Sequence, residues 1–375
     1  MSEGFIGERL GRKALARLPL GFGLLVALSA ITLFNLQLIF RALAIGYPVS
    51  DYRFPEVAVR IAFERGWSHL YDTALPNPPP MAWLVAPFAL LPSAVGYALF
   101  AILMLGCLVA SSQVLSNSGW SSRLRALTLV LALLPAMAIV IFAQVAAVVI
   151  LAVSLCWALL RSGREVEAGV ILAAAAVKPH LLLIVPFSLL LAGYRRSFVS
   201  WVVASAVLVA LSLLNVGPVA LVHYATQLLN FDTGKRGAYS LTLFLGYGAP
   251  TLAARAVVLG LALLIGWLSR GRSLTAPIAA GVAGSLLISG YLNAFDLALY
   301  SAVLLMLLRE GEHWLLPTVV LVILWITLET AISSGILVVL LEVVFLLSLI
   351  VPLLIASRAE QRGRQSVSTK VLQQT

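Results

Sequence analysis

Residues Ser93 to Leu115 read SAVGYALFAILMLGCLVASSQVL, twenty-three residues without a charged side chain. As a helix this run rises about 35 Å, enough to cross roughly 30 Å of hydrocarbon. Pro92 precedes it and Ser116-Asn117-Ser118-Gly119 follows it, so both ends are marked by residues that break or cap helices. Working outward, the same reading recurs. Upstream, Leu18 to Ile45 is a second apolar run behind Arg9, Arg12, Lys13 and Arg17. That basic flank is like a signal peptide's, but a signal core is only about 7 to 15 residues, so an uncleaved span over 18–44 is expected. Downstream, spans are expected at 125–142, 143–160, 166–177, 180–193, 198–216, 250–269, 275–291, 296–309, 314–329 and 333–356. Residues 166–193 form a hairpin of short arms around Lys178-Pro179, and 81–91 dips in without crossing. The expected fold is an all-α polytopic membrane protein of about twelve transmembrane helices.

Composition excludes the soluble classes. The chain is 61% hydrophobic and only 11% charged, with a mean hydropathy of +1.04, too little polar surface to cover a globule of 375 residues. A net charge of +10 in a soluble chain would raise nucleic acid as a partner; here the basic residues sit in small clusters between apolar runs, which is a topology signal and not a nucleic-acid surface. Cys107 and Cys156 both fall inside expected spans and define no disulfide framework or metal site.

With the N-terminus inside, short basic connectors such as Arg161-Ser162-Gly163-Arg164 and Tyr194-Arg195-Arg196 fall on the inner face, together with the tails 1–17 and 357–375. The single membrane domain is then 18–356. Its outer face carries two long segments, 45–80 and 217–249, which mix acids, bases, aromatics and Asn. Chemistry is expected there.

In the first outer segment, Arg53, Glu56, Arg60 and Glu64 share one helical face while Val57, Ala58 and Ile61 lie on another, the pattern of a helix in the interface plane. Pro55 suits its first turn. Asp51 precedes this helix, and reads equally as its N-cap or as a functional carboxylate at head-group depth. Asn77-Pro78-Pro79-Pro80 cannot continue a helix and fixes an extended entry into 81–91. At membrane depth, Lys178 costs about 2.5 to 3.5 kcal/mol unless something offsets it. Gln144, His180, Asn293 and Asp296 fall toward the same face, whereas Glu329 and Glu342 in the last two spans have no partner that the sequence names.

These residues resemble a known family. Asp51-x-x-Phe54, Leu70-Tyr71, Asn77-Pro78-Pro79 and Ala86-Pro87-Phe88-Ala89-Leu90-Leu91-Pro92 resemble the first outer loop of the polyprenol-phosphate-sugar-dependent glycosyltransferases of family 87, which are mannosyltransferase-like and have the membrane-embedded GT-C architecture. The likeness continues through Ala168-Gly169, Lys178-Pro179, Arg195-Arg196 and Ser289-Gly290-Tyr291-Leu292-x-x-x-Asp296-Leu297. The family usually shows Tyr-Pro-Pro where this chain has Asn77-Pro78-Pro79, and Gly-Gln-x-Asn where it has Ala143-Gln144-Val145-Ala146.

The resemblance implies transfer of a hexose or pentose from a polyprenyl-phosphate-linked donor to a lipid or glycan acceptor, with inversion, at the periplasmic face of a bacterial inner (plasma) membrane. Asp51 would be the general base. Lys178, Arg53 and His180 would meet the donor phosphate, and Asn77, Gln144, Asn293, Asp296 and Tyr71 would orient sugar or acceptor. An apolar groove beside 81–91 would take the prenyl chain. No cofactor is implied, and no Asp-x-Asp pair is present to hold a metal. The alternative is a multi-pass transporter or lipid-linked-sugar flippase, which would show an internal repeat and polar residues near the midplane.

Overall fold

The computed structural model describes residues 51–73, 75–117, 119–230, 239–246, 248–329 and 335–357, besides positions 31, 33 and 37. The expected first span apart from those three positions, nearly all of both tails, and residues 231–238 and 247 of the second outer segment lie outside them. Among the described residues the chain is helical throughout, without strands.

The helices are α1 Arg53–Arg65, α2 Pro79–Ala89, α3 Ser93–Leu115, α4 Trp120–Ala132, α5 Leu134–Ile141, α6 Ala146–Arg161, α7 Glu165–Leu172 and α8 Val185–Ala192. They continue with α9 Arg195–Asn230, α10 Leu241–Leu245, α11 Ala249–Leu268, α12 Thr275–Ile288, α13 Leu299–Glu310, α14 Leu315–Glu329 and α15 Gly335–Ser348. Short 3₁₀ turns at Ala173–Val177, Pro179–Leu181 and Ala294–Ala298 interrupt the set.

Among the described residues four helices are long and apolar enough to cross a membrane: Ser93–Leu115, Arg195–Leu228, Ala249–Leu268 and Gly335–Ser357. A fifth arises if α4 and α5, bent by 73° at Leu133, count as one span. The dozen expected from sequence includes runs that are short or interrupted in the structure. Helices α7 and α8 have 8 residues each and rise only about 12 Å. The hairpin around Lys178-Pro179 therefore enters from one side and turns inside the protein. Where the expected span 198–216 gives way to the second outer segment, Gly217 breaks α9 with φ 81 before Pro218, and a further helical stretch continues to Asn230. Only a glycine takes that backbone angle without a steric penalty.

In hydrocarbon every backbone polar group needs a partner, so irregular backbone survives only where protein covers it. At the break between α7 and α8, Val177, Lys178, Leu181 and Leu182 are buried, and the Ile184 amide donates to Ser285 Oγ at 2.9 Å. At the α4–α5 bend the Leu134 amide donates to Glu329 Oε1 at 2.5 Å, and Trp325 Nε1 donates to the same oxygen. Glu329, unassigned from sequence, thus satisfies a broken helix. Glu342 accepts a hydrogen bond from the Tyr300 hydroxyl at 3.0 Å.

The short elements pack closely because small residues sit at their crossings. A Cβ on Gly281 would meet Val185 Cα at 2.6 Å, and one on Gly169 would meet Ser197 O at 2.1 Å. Gly106, on the same kind of apolar helix, has open space around it. Gly169→Ala is therefore expected to destabilise by about 1 to 3 kcal/mol, whereas Gly106→Ala is expected to raise stability by about 0.5 to 1 kcal/mol through helix propensity. Thermal unfolding of the two variants in lipid nanodiscs checks the sign of each.

Candidate active site

The 3₁₀ turns around Lys178 and at Ala294–Ala298 bring polar side chains together. Asp51 stands one residue before Tyr52, the N-cap position of α1, and Tyr52 itself makes no capping hydrogen bond with its side chain. Tyr52 is fully buried, with its ring 5.3 Å from Phe100 and 6.3 Å from Tyr97 on α3. Arg60 fixes the other side of α1, reaching Glu56 at 2.9 Å and the Leu91 carbonyl at 2.6 Å. The expected charged stripe thus faces protein in part, since Glu56 is buried, while Phe54, Val57 and Phe63 are exposed.

Asp51 Oδ2 accepts a short hydrogen bond from Gln144 Nε2. Gln144 lies in the loop between α5 and α6, and its own amide donates to Ile139 O at 2.8 Å. The residue before it, Ala143, has φ 51, the one non-glycine residue with positive φ among those described. That conformation costs about 1 to 2 kcal/mol in a residue with a Cβ. The Tyr97 hydroxyl donates to Ile141 O at 2.7 Å, so α3 holds both the Asp51 side and the Gln144 side of this contact.

Lys178, at the cap between two 3₁₀ turns, supplies the second centre. Its Nζ lies 2.5 Å from Asp296 Oδ1, with Lys178 4% exposed and Asp296 fully buried. Asp296 Oδ2 accepts from the Asn293 amide at 3.1 Å, and Asn293 Nδ2 donates to the Tyr291 hydroxyl at 2.7 Å. The charge at membrane depth is thus offset by a carboxylate whose two oxygens are both occupied. Asp296 positions Lys178 and takes part in the cap of the Ala294–Ala298 turn. His180 stands edge-on to Tyr291, ring centroids 6.4 Å apart, and its Nε2 is buried without a hydrogen-bond partner among the described residues.

One aromatic wall joins the two centres. Lys178 Nζ lies 4.8 Å over the Phe295 ring, and Phe295 lies 6.4 Å from Phe142, two residues before Gln144. Asp51, Gln144, Lys178, His180, Asn293 and Asp296 are therefore brought together. Arg53 is exposed on the outer side of α1. Tyr71 takes a different part: its hydroxyl donates to Asn77 O at 3.0 Å, and its ring lies 5.2 Å from Tyr224. Burial, then the neighbouring Tyr224 phenol, holds the Tyr71 phenol well above the usual tyrosine range, so it is a neutral donor that pins the loop. Gln227, invisible to motif reading, ties the same loop to α9 by donating to Tyr71 O and Thr73 O and accepting from Leu75 N.

Beside these residues lies an apolar cleft of about 330 Å³, walled by Pro78, Pro79 and Pro80 on one side and by Pro179, Leu182, Trp201 and Tyr224 on the other. It borders Pro78–Pro80 at the start of α2, the entry into the stretch 81–91. Among the described residues no cluster of His, Cys, Asp or Glu is arranged to hold a metal ion.

The family model of glycosyltransferase family 87 matches residues 76–290, more than half of the 375 residues. The chain belongs to glycosyltransferase family 87. No curated protein and no solved structure matches it. Membership in family 87 makes this a membrane glycosyltransferase, with a sugar donor, an acceptor and a bilayer as its partners, and sets the transporter alternative aside. The matched stretch includes Asn77, Gln144, Lys178 and His180; Asp51 precedes it, and Asn293 and Asp296 follow it.

The backbone at Ala143 gives physical meaning to one departure from the family-87 pattern, since the glycine usual there would adopt φ 51 without strain. Ala143→Gly is expected to stabilise the protein by about 1 kcal/mol. Lys178→Met is expected to destabilise it by about 3 kcal/mol or more, because Asp296 is left buried and uncompensated. The double variant Lys178→Met/Asp296→Asn should recover part of that loss. A double-mutant cycle read by thermal unfolding in nanodiscs checks the coupling.

Proposed function

We propose that this glycosyltransferase moves a sugar from a polyprenyl-phosphate donor to a hydroxyl of a lipid or glycan acceptor, with Asp51 as the general base. The observation that carries this reading is the pairing of a carboxylate, oriented by an amide N–H, with a cation one aromatic wall away. Those are the two charges that a displacement at an anomeric carbon needs. The acceptor oxygen forms a bond to C1 and gives its proton to Asp51. The C1–O bond to phosphate breaks, and its electron pair leaves with the polyprenyl phosphate. One base and one displacement invert the anomeric centre.

The prenyl chain lies in the cleft between Pro78–Pro80 and α9. That cleft is walled by Pro179, so a lipid held there has its phosphate end beside Lys178 and His180. Lys178 gives one ammonium N–H to Asp296, and its other donors serve the phosphate. Asn77 and Asn293 orient sugar or acceptor hydroxyls. Gln144 acts through Asp51, fixing the direction of its lone pairs. The distribution of basic connectors supports placing this end of the bundle at the outer face, in the GT-C manner, with α1 lying in the interface plane.

The test is sugar transfer from a panel of polyprenyl-phosphate hexoses and pentoses to envelope lipid extract by the protein in nanodiscs. Asp51→Asn is expected to lower kcat by about 10² to 10⁴ while leaving the donor KM nearly unchanged. Gln144→Ala is expected to lower kcat by about tenfold. A folded Asp51→Asn variant with full activity would refute the assignment of the base.

A further inference from the structure

We infer that Arg255 is a phosphate-binding residue of the donor site, providing the net positive charge that Lys178, tied to Asp296, does not. This deepens the reading of a polyprenyl-phosphate donor and rests on it. The charge count makes the case. The Lys178–Asp296 pair is electrically neutral as a unit, held at 2.5 Å and buried. A sugar phosphodiester brings a negative charge that this neutral pair does not balance, and the phosphate gains charge again as the C1–O bond breaks. A site holding only these groups would leave the charge of its donor and its leaving group unbalanced.

Arg255 lies in the second turn of α11 and approaches the loop that carries the site. A Cβ placed on Gly290 would lie 3.4 Å from Arg255 Nη2. Gly290 adjoins Tyr291, which stands against His180 and accepts a hydrogen bond from Asn293, the residue that caps Asp296. A continuous set of contacts therefore runs from Arg255 to Lys178. Nothing bulkier than a hydrogen stands on Gly290 between the guanidinium and the loop.

The guanidinium is also underused. Nη2 donates to Thr242 Oγ1 at 2.7 Å, and Nε is buried without a hydrogen-bond partner among the described residues. No carboxylate lies within ion-pairing distance of Arg255 among those residues, in contrast to Lys178, Arg60 and Arg164. Nε and Nη2 form one edge of the planar fork, the edge that meets two oxygens of a phosphate side by side. Thr242 holds the fork in place without neutralising it. Arg255 belongs to no motif of the family likeness.

The experiment compares binding of decaprenyl phosphate and of decaprenol to the full chain in nanodiscs, followed by tryptophan fluorescence. The phosphate preference, and not affinity itself, is the readout, since loss of packing weakens both ligands alike. Wild type is expected to prefer the phosphate. Arg255→Gln should lose about tenfold or more of that preference, Arg255→Lys should retain an intermediate preference, and Thr242→Val should keep most of it. Arg255→Gln with undiminished preference, in a protein whose wild type discriminates, overturns this inference and leaves the proposed donor standing. A wild type that binds both ligands equally overturns the polyprenyl-phosphate reading and this inference with it.

Discussion

The structure depends on one constraint: inside a membrane a backbone amide or carbonyl without a partner is too costly to keep, at several kcal/mol for each group. Long helices such as α3 and α11 meet it internally. The interrupted ones meet it through specific side chains, Ser285 for the Ile184 amide and Glu329 for the Leu134 amide. Each interruption, once satisfied, frees the chain to turn within protein and to present side chains that a continuous helix would have scattered along a stripe. The 3₁₀ turns around Lys178 and the turn at Ala294–Ala298 exist on these terms. They bring Lys178 and Asp296 together although 118 residues separate them.

Electrostatics at that end follow from the pairing. The Asp296 carboxylate holds the Lys178 side chain in place at the cost of cancelling its field at a distance. The pair is a local hydrogen-bond donor more than a source of net charge. Charge at longer range has to come from a residue that is not itself neutralised, which gives the guanidinium of Arg255, held by a hydroxyl, its importance. The Asp51–Gln144 contact follows the same logic with opposite sign: an amide orients a carboxylate without removing its charge.

The membrane class was legible in the apolar runs, and α3 ends where its sequence says it should, because a charge-free run between a proline and a Ser-Asn-Ser-Gly segment has few alternatives. The hairpin around Lys178-Pro179 was equally legible, since proline removes a helix donor. The number of full crossings was not. Apolar runs of 8 to 16 residues, such as α7, α8 and α6, look alike in sequence whether they cross or stop inside, because length in the structure depends on where packing lets the helix break. Six of the candidate site residues lie along one connected set of contacts, but which of them touch which was hidden. Asp296 as a partner for Lys178, Tyr71 as a loop anchor and Arg255 as a site cation all depend on contacts across long stretches of chain, which no local pattern encodes.

The central claim is that the lipid-linked sugar reacts where Asp51 faces the Phe142–Phe295 wall and the Lys178–Asp296 pair. An electron cryo-microscopy structure in nanodiscs with a phosphonate analogue of a polyprenyl-phosphate sugar, in which carbon replaces the bridging oxygen, tests it directly. The account predicts the anomeric carbon between the Asp51 carboxylate and the Lys178 ammonium, with the prenyl chain running past Pro78–Pro80. An analogue bound at the opposite end of the bundle, or with its sugar out of reach of Asp51, would contradict it.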